Sequence, residues 1–265
     1  MTSLACIIPA HNPGALLQRS AASALAQDCI SQVVLVDDAS TDGSVQAFVE
    51  GPGAAAQRAG RLMLVRLASN HGPGAARNIG VAATQSDTLC FLDQDDECLP
   101  GAHALCLAVL EANPLLGAVT GALELWRDGA PALAPEDPRL SAIQASVPWN
   151  LLMRRTTFWA CGGFPVGAQF RTAYAGEDIA LRNTLSYAFA LAHAEVPLVR
   201  HHVYAGSHTD RYLARTRPHG ERIEFPQGHQ AELESGVGAA VLAHVARTRG
   251  QFDDLRYRIN ALKAQ

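Results

Sequence analysis

The sequence has 265 residues, of which 48% are hydrophobic and 17% charged, so it can bury a sizeable core as one large domain or two small ones. Its formal net charge is −4, and it contains no basic run of the kind that binds nucleic acid, so we expect no nucleic-acid partner. Six scattered cysteines without a C-x-x-C pair indicate reduced thiols and argue against a disulfide framework or a zinc ribbon.

The N-terminal residues lack the basic region and the cleavage site of a signal peptide, and no apolar stretch reaches the length of a membrane span. We therefore expect a cytoplasmic protein without a transmembrane segment, and peripheral contact with the inner face of the membrane is compatible with this pattern. Arginines gather between Arg200 and Arg222, which is compatible with a local patch for a phosphate or an acidic partner.

The first half of the chain alternates predicted strands and helices. Apolar runs predict strands over residues 4–9, 32–36, 61–67 and 88–92. Helical spacing predicts helices over residues 15–26, 75–83 and 100–113, and one more after DDASTDGS with Thr41 as its N-cap. Continuous apolar strands separated by helices indicate a parallel sheet covered on both faces. Right-handed crossovers place the carboxyl ends of such strands at one edge, where open α/β sheets bind ligands.

The second half has a less regular pattern. Residues 128–148 contain four prolines and little periodicity, which predicts a long surface loop. We expect a strand over residues 149–154, a short helix to Ala160 and then a glycine turn. A further helix opens at Gly176 and runs to Tyr187, an apolar segment follows over residues 188–192, and the tail is helical in pattern from Glu232.

Polar side chains follow each of the four predicted strands of the first half. They are His11 and Asn12, Asp37 and Asp38, Asn70 and His71, and the acidic cluster Asp93, Asp95, Asp96 and Glu97. These groups are far apart in sequence, but the predicted topology brings them to one edge of the sheet. The sequence therefore predicts a polar site there.

The acidic cluster has two readings. A hard divalent cation prefers carboxylate oxygens, and Mg²⁺ usually takes one or two carboxylates together with substrate phosphates, which suits Asp93 and Asp95. Asp side chains at strand ends also form turns and caps, and we expect that role for Asp96 and Glu97. An EF-hand does not fit, because Cys98 stands where that loop needs glycine and Ala104 where it needs glutamate.

Asp37 and Asp38 follow the second strand, where an acid can hold a ribose or a base, although a capped turn explains them equally well. A dinucleotide site is disfavoured because the glycine-rich fingerprint does not follow the first strand. Arg77 lies in a helix that opens at a glycine turn. It is suited to an anion, but an arginine facing solvent is the commoner case.

Glu177 and Asp178 open a helix, where acids are stabilising in any case, but a carboxylate there can also serve as a general base. His201, His202 and His208 lie among the late arginines without a nearby cysteine, which disfavours zinc. A single histidine completing a magnesium or manganese shell and plain surface histidines both remain open.

Six stretches stand in one order over about residues 4–190: IIPAHN, VVLVDDASTDGS, NHGPGAARNIGVAAT, FLDQDDECLPG, NLLMRR…GGF and GEDIALRN. Together they resemble the inverting glycosyltransferases of family 2, which have the GT-A fold. The resemblance implies an α/β fold with a doubly wound, mostly parallel sheet, helices on both faces and a helical C-terminal tail. It divides the chain into a nucleotide-binding half (residues 1–115), an acceptor-binding and catalytic-base half (116–225) and a C-terminal helical extension (226–265).

The resemblance also implies an activity: metal-assisted transfer of a sugar, with inversion, from a nucleotide-sugar donor, expected to be a UDP-sugar. The acceptor would be the hydroxyl of a glycan, a lipid-linked sugar or another molecule. Site roles carried over by position give Asp178 as the base beside Glu177, and Asp95, Asp93 and His202 as ligands of Mn²⁺ or Mg²⁺. The nucleotide-binding residues would be Pro9, His11, Asp37, Asp38, Arg77 and Asp93.

Two alternatives come from other classes. A sugar nucleotidyltransferase would normally carry a basic glycine-rich loop just after the first strand, where this chain offers only Arg19 within a helix. A non-catalytic nucleotide-sugar-binding module would not need the acid at position 178. The Q-x-x-R-W motif of processive family members is absent, which disfavours a polymerase coupled to export.

Overall fold

The computed structural model describes residues 2–171, 175–225 and 236–263. In chain order the elements are β1 (Leu4–Ala10), α1 (Leu16–Leu25), β2 (Gln32–Asp37), α2 (Ser44–Glu50), α3 (Ala54–Arg58), β3 (Leu62–Arg66), α4 (Pro73–Ala83), β4 (Thr88–Phe91), β5 (Glu97–Cys98), α5 (Ala102–Ala112), β6 (Leu116–Arg127), β7 (Ala130–Pro131), α6 (Pro138–Ser146), β8 (Leu151–Arg154), α7 (Arg155–Ala160), α8 (Glu177–Ala188), β9 (Ala190–His202), α9 (His208–Arg215), β10 (Arg217–His219), β11 (Arg222–Glu224) and α10 (Val237–Lys263).

Most strands form one mixed sheet in the order β3-β2-β1-β4-β8-β6-β9-β5, with β7 paired to β6. The four strands β3, β2, β1 and β4 run parallel to one another. β8 then runs antiparallel to β4 and to β6, which joins the second half of the chain to the same sheet. The parallel strands all end at one edge, as the sequence predicted, and this edge carries the polar clusters.

Two apolar cores lie on the two faces of the sheet, and β1 contributes to both. Because side chains alternate along a strand, Leu4, Cys6 and Ile8 pack on one face with residues of α1, α2 and α5. Ala5 and Ile7 pack on the other face with residues of α4, α7 and α8. All five of these β1 residues are fully buried. The predicted α/β class with helices on both faces is confirmed.

The predicted strands and helices of the first half agree with the structure to within two residues at each end. The prediction of Thr41 as the N-cap of α2 is wrong. The helix begins at Ser44 with Gly43 as its N-cap, at φ +75°. Thr41 lies outside the helix, and its amide donates to Asn12 Oδ1 at 2.7 Å. The acid Asp42 holds the turn instead, accepting from the Ser44 hydroxyl at 2.6 Å.

The prediction of a long surface loop over residues 128–148 is wrong, because that segment contains β7 and α6. Pro138 occupies the first turn of α6, where its missing N–H costs nothing. Asp137 caps the helix by accepting from the Arg139 amide at 2.9 Å. The long strands β6 and β9 were also not predicted as strands. The predicted helix start at Glu232 lies outside the described residues, and the described helix begins at Val237.

The helix α10 lies against α8, and its contact residues Val237 and Val241 form a small apolar cluster with Phe170 and Ala180. All six cysteines are free. Within the part of the chain that the structure describes, no helix combines the length and the apolar character needed to cross a membrane.

Candidate active site

A cleft of about 780 Å³ opens at the carboxyl ends of β1, β2 and β4 and continues between α6, α8 and α9. Most of the residues singled out from the sequence line it: Pro9, His11, Asp38, Arg77, Asp93, Asp95, Glu177 and Asp178. Asp37 and His202 are not among its lining residues. Residues separated by more than a hundred positions thus meet at the edge that the topology predicted.

The loop after β4 is held by backbone contacts that present Asp93 and Asp95 to the cleft. Ser20 Oγ donates to the Asp93 carbonyl at 2.8 Å, and Arg19 donates to the Asp95 carbonyl at 2.6 Å. The Tyr204 hydroxyl donates to Asp95 Oδ2 at 2.7 Å. Burial, reinforced by the negative charge of Asp93, raises the pKa of Asp95. A cation bound between the two carboxylates would relieve this repulsion.

Arg77 joins the acidic loop to the start of α8. Its side chain is 3% exposed; Nη2 donates to Asp93 Oδ1 at 2.6 Å and Nη1 to Asp178 Oδ1 at 2.9 Å. Nη1 also lies 3.7 Å from Glu177 Oε1. Burial alone would lower the pKa of Arg77, but the carboxylates of Asp178, Asp93 and Glu177 raise it. One buried cation therefore fixes carboxylates from both halves of the cleft.

Glu177 and Asp178 differ in exposure although they are neighbours. Both residues line the cleft, but the Glu177 side chain is 3% exposed and that of Asp178 is 24% exposed. Glu177 fits against α4 because Gly74 has no side chain; a Cβ there would lie 3.1 Å from Glu177 Cγ. Burial raises the pKa of both carboxyls, and Arg77 opposes the rise. Asp178 is thus the accessible carboxylate of the pair.

Asp38 and His11 line the cleft at the ends of β2 and β1. The Asp38 carboxylate accepts from the backbone amides of His71 and Gly72, each at 2.8 Å. His11 Nδ1 donates to the Asp38 carbonyl at 2.8 Å, and the His11 amide donates to Gln94 Oε1 at 2.7 Å. These contacts connect the turns after β1, β2, β3 and β4 into one rim.

Asp37 is directed elsewhere, although it adjoins Asp38 in sequence. Its carboxylate accepts from the Ser40 amide at 2.9 Å and lies 3.8 Å from Arg66 Nε. Successive side chains of a strand point to opposite faces, so only one of two neighbouring acids can face the cleft directly. Asp37 therefore stabilises the turn after β2.

His202 also faces away from the cleft, with Nε2 3.4 Å from Glu97 Oε2. The structure brings His201 and His208 to the cleft instead. His201 Nδ1 donates to the fully buried Asp96 at 2.9 Å, Nε2 contacts Thr209 Oγ1 at 2.8 Å, and the ring stacks on Trp149 at 4.7 Å. Burial raises the pKa of Asp96 to about 7, although His201 opposes the rise.

Asp96 is therefore more than the turn cap expected from the sequence, because it anchors β9 and, through His201, α9. No local pattern in the sequence predicts a role for Trp149, Thr209 or Tyr204. The available sequence signal for such roles is the presence of aromatic and hydroxyl residues near His201 and His202. That pattern does not reveal which histidine faces the acidic loop.

The carboxylates of the cleft bear on whether a divalent cation fits here. Over the described ranges, no cluster of three or more His, Cys, Asp or Glu side chains is arranged to hold a metal ion. Asp93 and Asp95 nevertheless line the same cleft, and two carboxylates suit Mg²⁺ or Mn²⁺ when substrate phosphates complete the shell. The residues fit an ion shared with a phosphate-bearing substrate rather than a closed protein cage.

Comparison with solved structures shows the same fold. The chain aligns with S. aureus TarS in complex with UDP-GlcNAc at a TM-score of 0.62 and 18% identity, covering 78% of this chain and 60% of that one. It aligns with GalNAc-T7, solved with UDP, GalNAc and Mn²⁺, at a TM-score of 0.61 and 15% identity, covering 78% of this chain and 45% of the other. The expected GT-A type fold is confirmed.

Sequence relatives are similar over a little more than a third of this chain. The succinoglycan biosynthesis protein ExoU of Rhizobium meliloti (strain 1021) is 41% identical over 100 residues, which is 38% of this chain and 28% of ExoU. ExoO of the same organism is 35% identical over 97 residues, 36% of this chain and 26% of ExoO. The matches thus span about a quarter of those relatives. The family model described as glycosyl transferase family 2 matches residues 5–162, more than half of the chain, and the protein belongs to that family.

Proposed function

We propose that this protein transfers a sugar from a UDP-sugar to an acceptor hydroxyl, with inversion, by a single displacement assisted by Mn²⁺ or Mg²⁺. The observation that carries the proposal is the Arg77 contact: one guanidinium holds Asp93 of the acidic loop and Asp178 of α8 in the same cleft. Asp93, which is suited to the cation that binds the donor, and Asp178, which is suited to accept the proton of the acceptor, then face the same cleft.

The donor nucleoside would bind at the end of the cleft lined by Pro9, His11 and Asp38. An ionised carboxylate has about four acceptor positions, and the two amide contacts leave Asp38 with capacity for a base N–H. TarS was solved with UDP-GlcNAc and GalNAc-T7 with UDP, which supports a uridine nucleotide. Asp37 would contribute indirectly, through the turn that it holds.

Asp178 would be the general base. Arg77 holds its Oδ1, and the exposed part of the side chain faces the cleft, where an acceptor hydroxyl can approach. Arg77 favours the ionised form that a base needs, while burial raises the pKa above the ordinary value for aspartate. A positioned base contributes about 10²–10⁴-fold to the rate. Glu177 would support the arrangement from its buried position beside Arg77.

Asp93 and Asp95 would hold the cation, and the placement of His202 leaves it outside this set. When bound, the cation would offset the charge that develops on the leaving diphosphate. Arg77 already holds the Asp93 carboxylate without a donor, so the site would be prepared for charge before the substrate arrives.

The acceptor would be the hydroxyl of a glycan, a lipid-linked sugar or a related molecule. ExoU and ExoO are named as succinoglycan biosynthesis proteins, which supports a saccharide acceptor. A lipid-linked acceptor would bring the protein to the membrane surface, at its cytoplasmic face, as a peripheral protein.

No observation favours a sugar nucleotidyltransferase over a glycosyltransferase. Arg19, the basic residue closest to the first turn, contacts the Asp95 carbonyl and lies 3.4 Å from Glu97. A non-catalytic module would not need an accessible, Arg-held acid at position 178. Measured products separate the three: UDP for a glycosyltransferase, pyrophosphate for a nucleotidyltransferase and neither for a binding module.

The direct experiment measures UDP release from a panel of UDP-sugars, with and without Mn²⁺, in the wild type and in Asp178→Asn. Turnover by the wild type with Mn²⁺ is expected, and the asparagine variant should lose it while still binding UDP. Full turnover in Asp178→Asn would reject the base, and pyrophosphate release from a nucleoside triphosphate would reject the reaction.

A further inference from the structure

The turn that precedes Glu177 and Asp178 has an unfavourable backbone. Ala175 has φ +50° and Gly176 has φ +114°, two consecutive positive values directly before the acidic pair. A non-glycine residue in the left-handed region costs about 1–2 kcal/mol. Such conformations persist where the surrounding structure determines them. The orientation of Asp178 relative to Arg77 therefore depends on what packs on this turn.

The helix α10 supplies that packing. A Cβ built on Gly176 would lie 2.9 Å from Val237 Cγ2 and 3.2 Å from Val241 Cγ2. Both valines therefore pack closely against the turn. Val237 is 4% and Val241 8% exposed, and they form a separate apolar cluster with Phe170 and Ala180 of the same region. Neither valine is itself among the residues that line the cleft.

The other end of α8 is fastened to α10 by polar and aromatic contacts. The Tyr187 hydroxyl donates to Asp253 Oδ1 at 2.8 Å, and the Arg249 guanidinium lies 4.1 Å from the centre of the Tyr187 ring. Phe189 and Phe252 make an edge-to-face contact at 5.6 Å. Both ends of α8 thus pack against α10. This helix lies beyond the part of the chain that the family model matches.

We propose that Val237 and Val241 of α10 are positioning residues, which hold the Ala175–Gly176 turn so that Asp178 meets Arg77 in the orientation that catalysis needs. The proposal rests on the proposed function for the role of Asp178. Displacing a reacting group by about 1 Å can cost ~10²-fold in rate, so a loosened turn should affect turnover far more than donor binding. The donor end of the cleft is lined by residues at the ends of β1, β2 and β4, and none of the residues that line the cleft belongs to α10.

The test compares Val241→Ala and Val237→Ala with Leu242→Ala, a change of similar size on the exposed side of the same helix, where Leu242 is 70% exposed. The first readout is hydrogen–deuterium exchange of the amides of residues 177–182. It should accelerate by about 10-fold or more in the valine variants and stay within about twofold of wild type in Leu242→Ala. Peptides from β1 should exchange as in wild type, which shows that the sheet is intact.

The second readout is steady-state kinetics with a UDP-sugar. Each valine variant should lose about 10-fold in kcat with donor KM unchanged within about twofold, as expected when a reacting group is misplaced and the donor site is not. Unchanged exchange of residues 177–182 in both variants would overturn the proposal, and so would accelerated exchange with wild-type kcat. If the wild type itself transferred no sugar, the proposed function would fail, while the exchange comparison would still decide whether the valines hold the turn.

Discussion

Arg77→Met should destabilise the fold strongly, because it removes the cation on which three carboxylates converge. The Arg77 side chain is 3% exposed, and its partners Asp93 and Asp178 are 30% and 24% exposed. Removing one partner of a buried ion pair costs about 3–5 kcal/mol, whereas exposed pairs contribute about 0–1 kcal/mol. Because the two carboxylates retain some contact with water, we expect a loss of about 3 kcal/mol in the free energy of unfolding at pH 8.

The loss should shrink at low pH. Without Arg77, burial and mutual repulsion would raise the folded-state pKa of Asp178 and Glu177 further above their unfolded values. When the pKa of a carboxyl is higher in the folded than in the unfolded state, the folded state binds more protons between the two pKa values. The free energy of unfolding therefore falls as the pH rises through that interval. The variant should therefore be closer to wild type at pH 5 than at pH 8.

The assay is urea denaturation of wild type and variant at both pH values, which gives the free energy of unfolding by linear extrapolation. Arg66→Met is the matched control, because Arg66 is 51% exposed and lies 3.8 Å from Asp37, so its loss should stay within about 1 kcal/mol. Equal effects of the two changes at pH 8, or a larger effect of Arg77→Met at pH 5, would refute the assignment of Arg77 as the buried centre of the network.

Further predictions concern the acids and two helical glycines. Asp178→Asn should lower kcat by about 10²–10⁴-fold, and calorimetry should show an unchanged Kd for UDP. Burial raises the pKa of Asp178, so the kcat of the wild type should fall as the pH drops through a value above the ordinary pKa of aspartate. Asp95→Ala should abolish the gain in UDP affinity that Mn²⁺ provides, and an unchanged gain would reject its role as a ligand. Gly80→Ala should destabilise by about 1–3 kcal/mol in denaturation, because the new Cβ would lie 2.4 Å from Ile7 Cγ2; Gly250→Ala, with nothing within 4 Å, should stabilise by about 0.5–1 kcal/mol.

The parallel half of the fold was predictable because each strand is a continuous apolar run. Such runs arise where a strand is buried on both faces, and β1 and β4 are buried along their whole length. The segment over residues 128–148 was not predictable in the same way. Clustered prolines are typical of a loop, but Pro138 starts a helix because Asp137 caps it.

The composition of the candidate site was largely predictable, but its contacts were not. Strand order brings the polar clusters to one edge, and that follows from topology alone. The role of Arg77 depends on partners 16 and 101 positions away, which no local pattern encodes. Likewise, His201 and His202 point to opposite sides of β9, and a shift of one residue in strand register exchanges them.

The most direct test of the central claim is proton NMR of the sugar at early times after a UDP-sugar is mixed with the protein and Mn²⁺. A single displacement at the anomeric carbon predicts that the first product, whether transferred to an acceptor or to water, has the inverted anomeric configuration and appears together with UDP. A first product that retains the donor's configuration would contradict a single displacement with Asp178 as the base.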